Sequence, residues 1–286
     1  MKTLKNYFDK ICVINYIEAP DRRENMIKQL KHYNFEDGVE FSYGMPFAKI
    51  NAIAPHFEEI SNTTGIYSNI GTIGCAFQHY TAIKTAYELG VDSILILEDD
   101  IIFRDDRDLI IDYLDNIPKD WEYLYFTPMF SLHNPNINND IIHDETIILN
   151  VENKWIDMKK LNHGQTHIVI GTTPLNGYFS SGAYALKRTG MKLYISLFEN
   201  SKTIMNSDML EFFFHNISQS PLKSYIPKTG LFAVNNGIGT LLKTGKNTFN
   251  LCINGSNGAV VHSSDITKEN FNFNSLIEKN SIIWDN

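Results

Sequence analysis

The stretch SILILEDD, residues 93–100, decides the fold and the site that we expect. Its four consecutive apolar residues, two of which are β-branched, are typical of a strand buried in a sheet. The strand ends in Glu98, Asp99 and Asp100, and open α/β sheets bind ligands at the carboxyl ends of their strands. The apolar run favours a site over the alternative, in which the acids begin a solvated loop or cap the next helix.

The adjacent carboxylates also predict a bound cation. Their oxygens repel one another unless a positive ion lies among them, and Mg2+, Mn2+ and Ca2+ prefer oxygen ligands. We therefore expect a metal-dependent enzyme that acts on a phosphorylated donor.

The composition limits the classes of partner. The chain has 286 residues, of which 43% are hydrophobic and 20% charged, as in an ordinary globular protein. Its net charge of -8 argues against a general nucleic-acid binder, which needs a basic face. It also argues against docking on anionic lipid through bulk charge. We expect no nucleic-acid partner.

The sequence also predicts a location. No apolar run approaches the roughly 20 residues of a membrane helix, and residues 1–10 do not resemble a signal peptide. The three cysteines are far apart and form no CxxC pair, which is typical of reduced thiols. We expect a cytoplasmic protein without a transmembrane segment, with peripheral contact at the inner face of the membrane left open.

The first strand and helix open an α/β unit. Residues 11–15 predict a buried strand, and a helix follows from Pro20, with Asp21 and Glu24 spaced as a capping box. Arg22 and Arg23 could reach a phosphate, although exposed charges in a first helical turn are at least as common. The glycine-rich fingerprint of dinucleotide folds is missing.

A second helix leads directly into the acidic strand. Residues 71–89 carry one broad apolar face, and Gly90 ends the helix. His79 lies on the apolar side, where a histidine is more often a hydrogen-bonded core group than a ligand.

The second half of the chain is less regular. Residues 131–160 are polar and predict a functional loop or lid. Residues 177–186 mix small and aromatic side chains, which suit either close approach of a sugar or a tightly packed strand. Asp208 starts a predicted helix, for which capping is the commoner role.

Six short motifs recur in a known family. They are Val13–Asn15 with Asp21–Arg23, Gly74–Ala76 with His79, Leu97–Asp100, Gly182–Ala185 before Gly190, Asp208, and Ser264–Ile266. In this order they resemble glycosyltransferase family 25, which includes bacterial lipopolysaccharide and lipooligosaccharide galactosyltransferases and the related collagen galactosyltransferases. The chain departs from the family where Asn15-Tyr16-Ile17 stands in place of Asn-Leu-Asp.

The resemblance implies an α/β, GT-A-like nucleotide-binding fold with a mixed central sheet flanked by helices. It implies one domain, residues 1–286, with a nucleotide-sugar sub-lobe at 1–127 and an acceptor sub-lobe with the C-terminal segment at 128–286. It also implies a nucleotide-sugar donor, a divalent cation (Mn2+ or Mg2+) and inversion at the anomeric carbon.

The resemblance assigns roles to individual residues. Asp100 is the first choice as metal ligand, with Glu98 or Asp99 contacting the metal or the ribose. His262 is expected as a late metal ligand, the alternative being an exposed loop histidine. The residues expected to bind the nucleotide-sugar are Asn15, Arg22, Arg23, His79, Glu98, Asp99 and Gly182.

The resemblance also predicts the reaction. Asp208 is the candidate base for the acceptor hydroxyl, with Glu211 one helical turn along in reserve. We expect transfer of a hexose, galactose from UDP-galactose, to a glycan or glycolipid acceptor at the cell surface such as lipooligosaccharide. The alternatives are a non-catalytic binder of nucleotide-sugars or glycans, and a metal-dependent phosphoester hydrolase.

Overall fold

The computed structural model describes residues 1–16, 19–43, 70–126, 129–130, 153–158, 167–170, 173–176, 178–179, 181–200, 222–227, 231–234, 248–249 and 261–262. The strands are β1 (Lys10–Asn15), β2 (Val39–Tyr43), β3 (Ser93–Glu98), β4 (Ile101–Phe103), β5 (Tyr123–Tyr125), β6 (Met129–Phe130), β7 (Trp155–Asp157), β8 (His167–Ile170), β9 (Thr173–Asn176), β10 (Tyr178–Phe179), β11 (Ala183–Lys187), β12 (Ser224–Pro227), β13 (Phe232–Val234), β14 (Thr248–Phe249) and β15 (Val261–His262). The α-helices are α1 (Pro20–His32), α2 (Ile70–Glu88), α3 (Arg107–Asp115) and α4 (Arg188–Asn200).

A seven-stranded sheet forms the centre, in the order β2-β1-β3-β11-β5-β12-β7. Strand β1 pairs in parallel with β2 and β3, whereas β11 runs antiparallel between β3 and β5. Strand β12 is parallel to β5 and antiparallel to β7. The sheet is therefore mixed and flanked by helices, which confirms the predicted α/β fold class.

The described part of the chain also contains four two-stranded sheets. The pairs are β4 with β13, β6 with β10, β8 with β9, and β14 with β15, all antiparallel. The pairing of β4 with β13 covers the chain immediately after the acidic motif. The division into sub-lobes at residue 127 stays a prediction, and the predicted lid at 131–160 is described only at 153–158.

The core lies on both faces of the central sheet, because side chains of a strand alternate between faces. Ile94 and Ile96 belong to a cluster that includes side chains of α2 and α4. Leu95 and Leu97 belong to a second cluster that includes side chains of α1 and α3. All four are fully buried, as the apolar run of the sequence predicts.

The ends of the helices agree with the residues found there, but one predicted cap is wrong. Helix α1 begins at Pro20, which suits a first helical position, after Ala19. Alanine has no side-chain acceptor, so the predicted capping box of Asp21 and Glu24 is wrong. Helix α3 is capped by Asp106, whose carboxylate accepts from the backbone N–H of Leu109 at 2.9 Å. Gly90, at φ +77°, follows the end of α2 as predicted.

None of the helices in the described parts of the chain combines the length and the apolar character that crossing a bilayer requires.

Gly190 is a position in α4 where the fold needs the absence of a side chain. A Cβ there would lie 2.9 Å from the backbone oxygen of Glu122 and 3.1 Å from Cδ2 of Leu186. Gly190→Ala should lower the free energy of unfolding by about 1–2 kcal/mol, after the gain in helix propensity is subtracted. Urea denaturation measures it. The control is Lys192→Ala, an exposed change in the same helix; equal midpoints for the two variants would contradict the prediction.

Candidate active site

The site lies at the carboxyl edge of β1 and β3. The two strands are in parallel register, with Ile14 opposite Glu98. The chain stays paired past the end of β3, because the N–H of Asp99 donates to the carbonyl of Ile14 at 3.0 Å. This pairing places the side chain of Asn15 next to the acids.

Asn15 holds the carboxylate of Asp99. Its Nδ2 donates to Asp99 Oδ2 at 2.7 Å, and the backbone N–H of Tyr16 donates to the same oxygen at 3.4 Å. Gln78 of α2 fixes this corner from behind, since its Nε2 donates to the carbonyl of Asn15 at 3.2 Å. Asn15 is therefore a buried positioning group for Asp99.

Arg22 of α1 bridges two of the acids. Its Nη2 contacts Asp99 Oδ1 and lies 2.7 Å from Asp100 Oδ2, and the guanidinium is mostly buried. Burial by itself lowers the pKa of Arg22, but Asp100 and Asp99 raise it above its ordinary value. The ion pair is thus the internal counter-charge of the acidic motif.

Asp100 keeps a proton unusually well. Burial raises the pKa of its carboxyl to about 7. The positive charge of Arg22 opposes this shift, and the negative charges of Glu98 and Asp99 add to it. Burial likewise raises the pKa of Asp99, although Arg22 and Asn15 oppose the shift. Oδ1 of Asp100 is buried and has no hydrogen-bond partner among the residues that the structure describes. A cation would satisfy this oxygen and favour the charged form.

These features match Mn2+ or Mg2+. The donors at this edge are carboxylate oxygens, which both ions prefer. Asp99 and Asp100 share the single guanidinium of Arg22, so that ionisation of both carboxyls leaves one negative charge without a counter-charge. The buried, unpartnered oxygen of Asp100 is the donor that such an ion would use first.

Glu98 faces the opposite side of the sheet from Asp99. Its Oε1 lies 3.3 Å from His79 Nε2 and 3.9 Å from Cys75 Sγ, and it accepts a hydrogen bond from the hydroxyl of Ser181. Burial raises the pKa of Glu98, but the bonds and charge of His79, with Ser181 and Arg22, hold it below its ordinary value. The three acids are therefore divided between two groups of partners.

The structure places the remaining predicted residues less centrally. Arg23 is exposed and lies over the rings of Phe41 and Tyr43, at 5.3 and 5.0 Å from their centroids. Gly182 is buried beside the motif, where its carbonyl accepts from the N–H of Glu98 at 2.8 Å. Asp208 and Glu211 lie outside the described residues. The backbone of His262 pairs with Thr248 in β14–β15, but its side chain is not described.

Sequence reasoning missed several partners of the motif. Gln78, Ser181 and Tyr184 contact Asn15, Glu98 and His79 respectively. No pattern singled out the first two, because their contacts join elements distant in sequence. Cys75 gave a usable signal, since it lies four residues before His79 and so shares its helix face.

The two neighbouring arginines make a matched test of the site. Arg22→Met should lower the free energy of unfolding by about 3–5 kcal/mol, because it leaves two buried carboxylates without their counter-charge. Arg23→Met should cost no more than about 1 kcal/mol, since it loses only exposed cation–π contacts. Urea denaturation of both variants at neutral pH measures the difference. Equal losses would mean that Arg22 does not neutralise the acids.

The raised pKa values of Asp99 and Asp100 predict that the stability of the protein depends on pH. In the metal-free protein, the native state retains protons that the unfolded chain releases between pH 3.8 and about 7. The contribution of Asp100 to stability therefore falls as the pH rises through this window, and Asp99 acts in the same direction. The lowered pKa of Glu98 acts oppositely, at more acidic pH.

Asp100→Asn should consequently flatten the decline of unfolding free energy between pH 4 and 7, measured in a chelating buffer. Asp108→Asn is the control, because that carboxylate is fully exposed. An unchanged slope in Asp100→Asn would show that another group takes up the proton.

Comparison with known proteins gives an independent result. A family model described as glycosyltransferase family 25 (LPS biosynthesis protein) matches residues 8–211. Procollagen galactosyltransferase 2 of Homo sapiens is 29% identical over 127 residues, covering 41% of this chain and 20% of that protein. The Mus musculus protein of the same name is 28% identical over the same shares of the two chains. The chain spans about a fifth of the length of these curated relatives.

Among solved structures, a glycosyltransferase involved in the glycosylation of the major capsid of PBCV-1 is similar at a TM-score of 0.37 and 12% identity. The similarity covers 76% of this chain and 81% of that one.

Proposed function

Because this chain belongs to glycosyltransferase family 25, we propose that it is a metal-dependent, inverting glycosyltransferase. It moves a hexose, galactose from UDP-galactose, onto a cell-surface glycan such as lipooligosaccharide. The observation that carries the proposal is the buried, unpartnered oxygen of Asp100 at the carboxyl edge of β3, within the stretch that matches the family.

The choice of sugar and acceptor has separate support. The curated relatives are galactosyltransferases by name, and the family description refers to lipopolysaccharide biosynthesis. A UDP donor follows from the resemblance to the family. A cytoplasmic location, with contact at the inner face of the membrane, belongs to the same proposal.

The metal is the part of the proposal that depends on the acids. Asp100 would hold Mn2+ or Mg2+, with Asp99 next to it and His262 as the further predicted ligand. When bound, the ion offsets the negative charge that develops on the departing pyrophosphate.

The chain's own residues orient the donor and move a proton. Arg22 brings a positive charge to the edge where the phosphates would lie, and Asn15 fixes the carboxylate of Asp99 for the metal or the ribose. Asp208 is the proposed base that accepts the proton of the attacking hydroxyl, with Glu211 in reserve. Inversion requires that this base lie on the face opposite the leaving group.

A non-catalytic nucleotide-sugar binder is the second candidate, and Arg22 is the observation that favours it. The guanidinium already neutralises Asp99 and Asp100 in part, so a donor could bind this edge without a metal ion. Binding and transfer must therefore be measured separately.

The test compares three proteins: the wild type, Asp100→Asn and Asp208→Asn. UDP-galactose at 100 times its Kd should stabilise the wild type by about 2.7 kcal/mol, a rise in Tm of about 5–10 °C, only when Mn2+ is present. Asp100→Asn should lose both this shift and the transfer of galactose to lipooligosaccharide. Asp208→Asn should keep the shift and lose transfer.

Asp108→Asn serves as the exposed carboxylate control and should behave as the wild type. A Tm shift that needs no Mn2+, without product in any protein, would favour the binder. Full transfer by Asp208→Asn would move the base to Glu211.

A further inference from the structure

Three donor atoms of different chemistry meet beside the acidic motif, on the face of the sheet covered by α2. They are Sγ of Cys75, a ring nitrogen of His79 and a carboxylate oxygen of Glu98, and all lie within 4.8 Å of one another. Cys75 and His79 are four residues apart in α2, so they project from one side of the helix. Glu98 reaches them from the end of β3.

Nε2 of His79 is in a position to bind a ligand. The side chain is fully buried, and its Nε2 faces Glu98 Oε1 at 3.3 Å without a hydrogen bond of regular geometry. A buried polar nitrogen without a full hydrogen bond is destabilising. A ligand that accepts its lone pair would remove that cost.

Neighbouring hydroxyl groups hold His79 and Glu98 as outer partners hold the ligands of bound metals. Nδ1 of His79 lies 2.8 Å from the hydroxyl of Tyr184, and when Nδ1 carries the proton it donates to that oxygen and leaves the lone pair on Nε2. The hydroxyl of Ser181 donates to Glu98 Oε1 and fixes the carboxylate. Such outer partners are typical of metal-binding histidines and carboxylates.

We propose that Cys75, His79 and Glu98 bind a zinc ion, at a site separate from the oxygen donors of Asp100. A thiolate, an imidazole and a carboxylate form a mixed donor set that suits Zn2+ and does not suit Mg2+, which takes oxygen ligands. On binding, the thiol of Cys75 releases its proton to solvent. Cys75 and Glu98 are partly exposed, so an ion can reach the site from solution.

The two sites are separable because their partners are different. Asp99 and Asp100 are held by Arg22 and Asn15, from α1 and β1. The zinc ligands come from α2 and from the other face of β3. The transferase proposal depends on Asp100 and Asp208, so failure of the zinc test would not overturn it, although His79 and Glu98 are also expected at the donor.

The test is titration of the full chain with Co2+, a spectroscopic substitute for Zn2+, under reducing conditions. In the wild type a thiolate-to-cobalt charge-transfer band should appear and saturate at one equivalent of Co2+, and Zn2+ should abolish the band. Cys75→Ser should lose the band, because the band requires the sulfur. Cys12→Ala should retain it, because that thiol lies in the core of the sheet. Asp100→Asn should also retain it.

Tyr184→Phe tests the orienting role of the hydroxyl. It should weaken Zn2+ binding about 10–100-fold in a competition titration, with the band shape preserved. The proposal is overturned by a wild type without the band, by a band that survives Cys75→Ser, or by a band lost in Asp100→Asn. Thermal melts of the metal-free variants verify that each is folded.

Discussion

Burial of negative charge at the end of β3 is the constraint on which the rest of this structure depends. Carboxylates removed from water are costly unless each finds a partner. Four elements supply those partners: α1 gives Arg22, β1 gives Asn15, α2 gives His79, and the turn before β11 gives Ser181. The helices that pack on this sheet therefore also supply groups that compensate the buried carboxylates.

The end of β3 divides the acids between two sets of partners. Glu98, the last residue of β3, lies against the side chains of α2, whereas Asp99 and Asp100 follow the strand and both contact Arg22. A motif that reads as one acidic cluster in sequence becomes two environments in the fold. One has hard oxygen donors and a guanidinium, and the other has sulfur and nitrogen beside a single carboxylate.

Much of the fold and of the site could be predicted from the sequence, but contacts between distant parts of the chain could not. The run from Ser93 to Leu97 and the periodicity of α2 identified their elements, because burial leaves a local signature. The buried face of α1 includes Arg22, Met26 and Leu30 at helical spacing, whereas the sequence prediction treated Arg22 and Arg23 alike. The antiparallel insertion of β11 and the hydroxyl of Ser181 depend on distant pairing, which no local pattern encodes.

The place of β11 has a consequence for how the chain is made. Its residues separate β3 from β5, and they follow those strands by about sixty positions or more in synthesis order. Until residue 187 has left the ribosome, the inner edge of β3 has its backbone donors and acceptors open, next to an apolar strand. An exposed edge of this kind invites pairing with other nascent chains. Charged residues that flank an apolar strand disfavour such pairing, and the three carboxylates that follow the apolar run of β3 have this position.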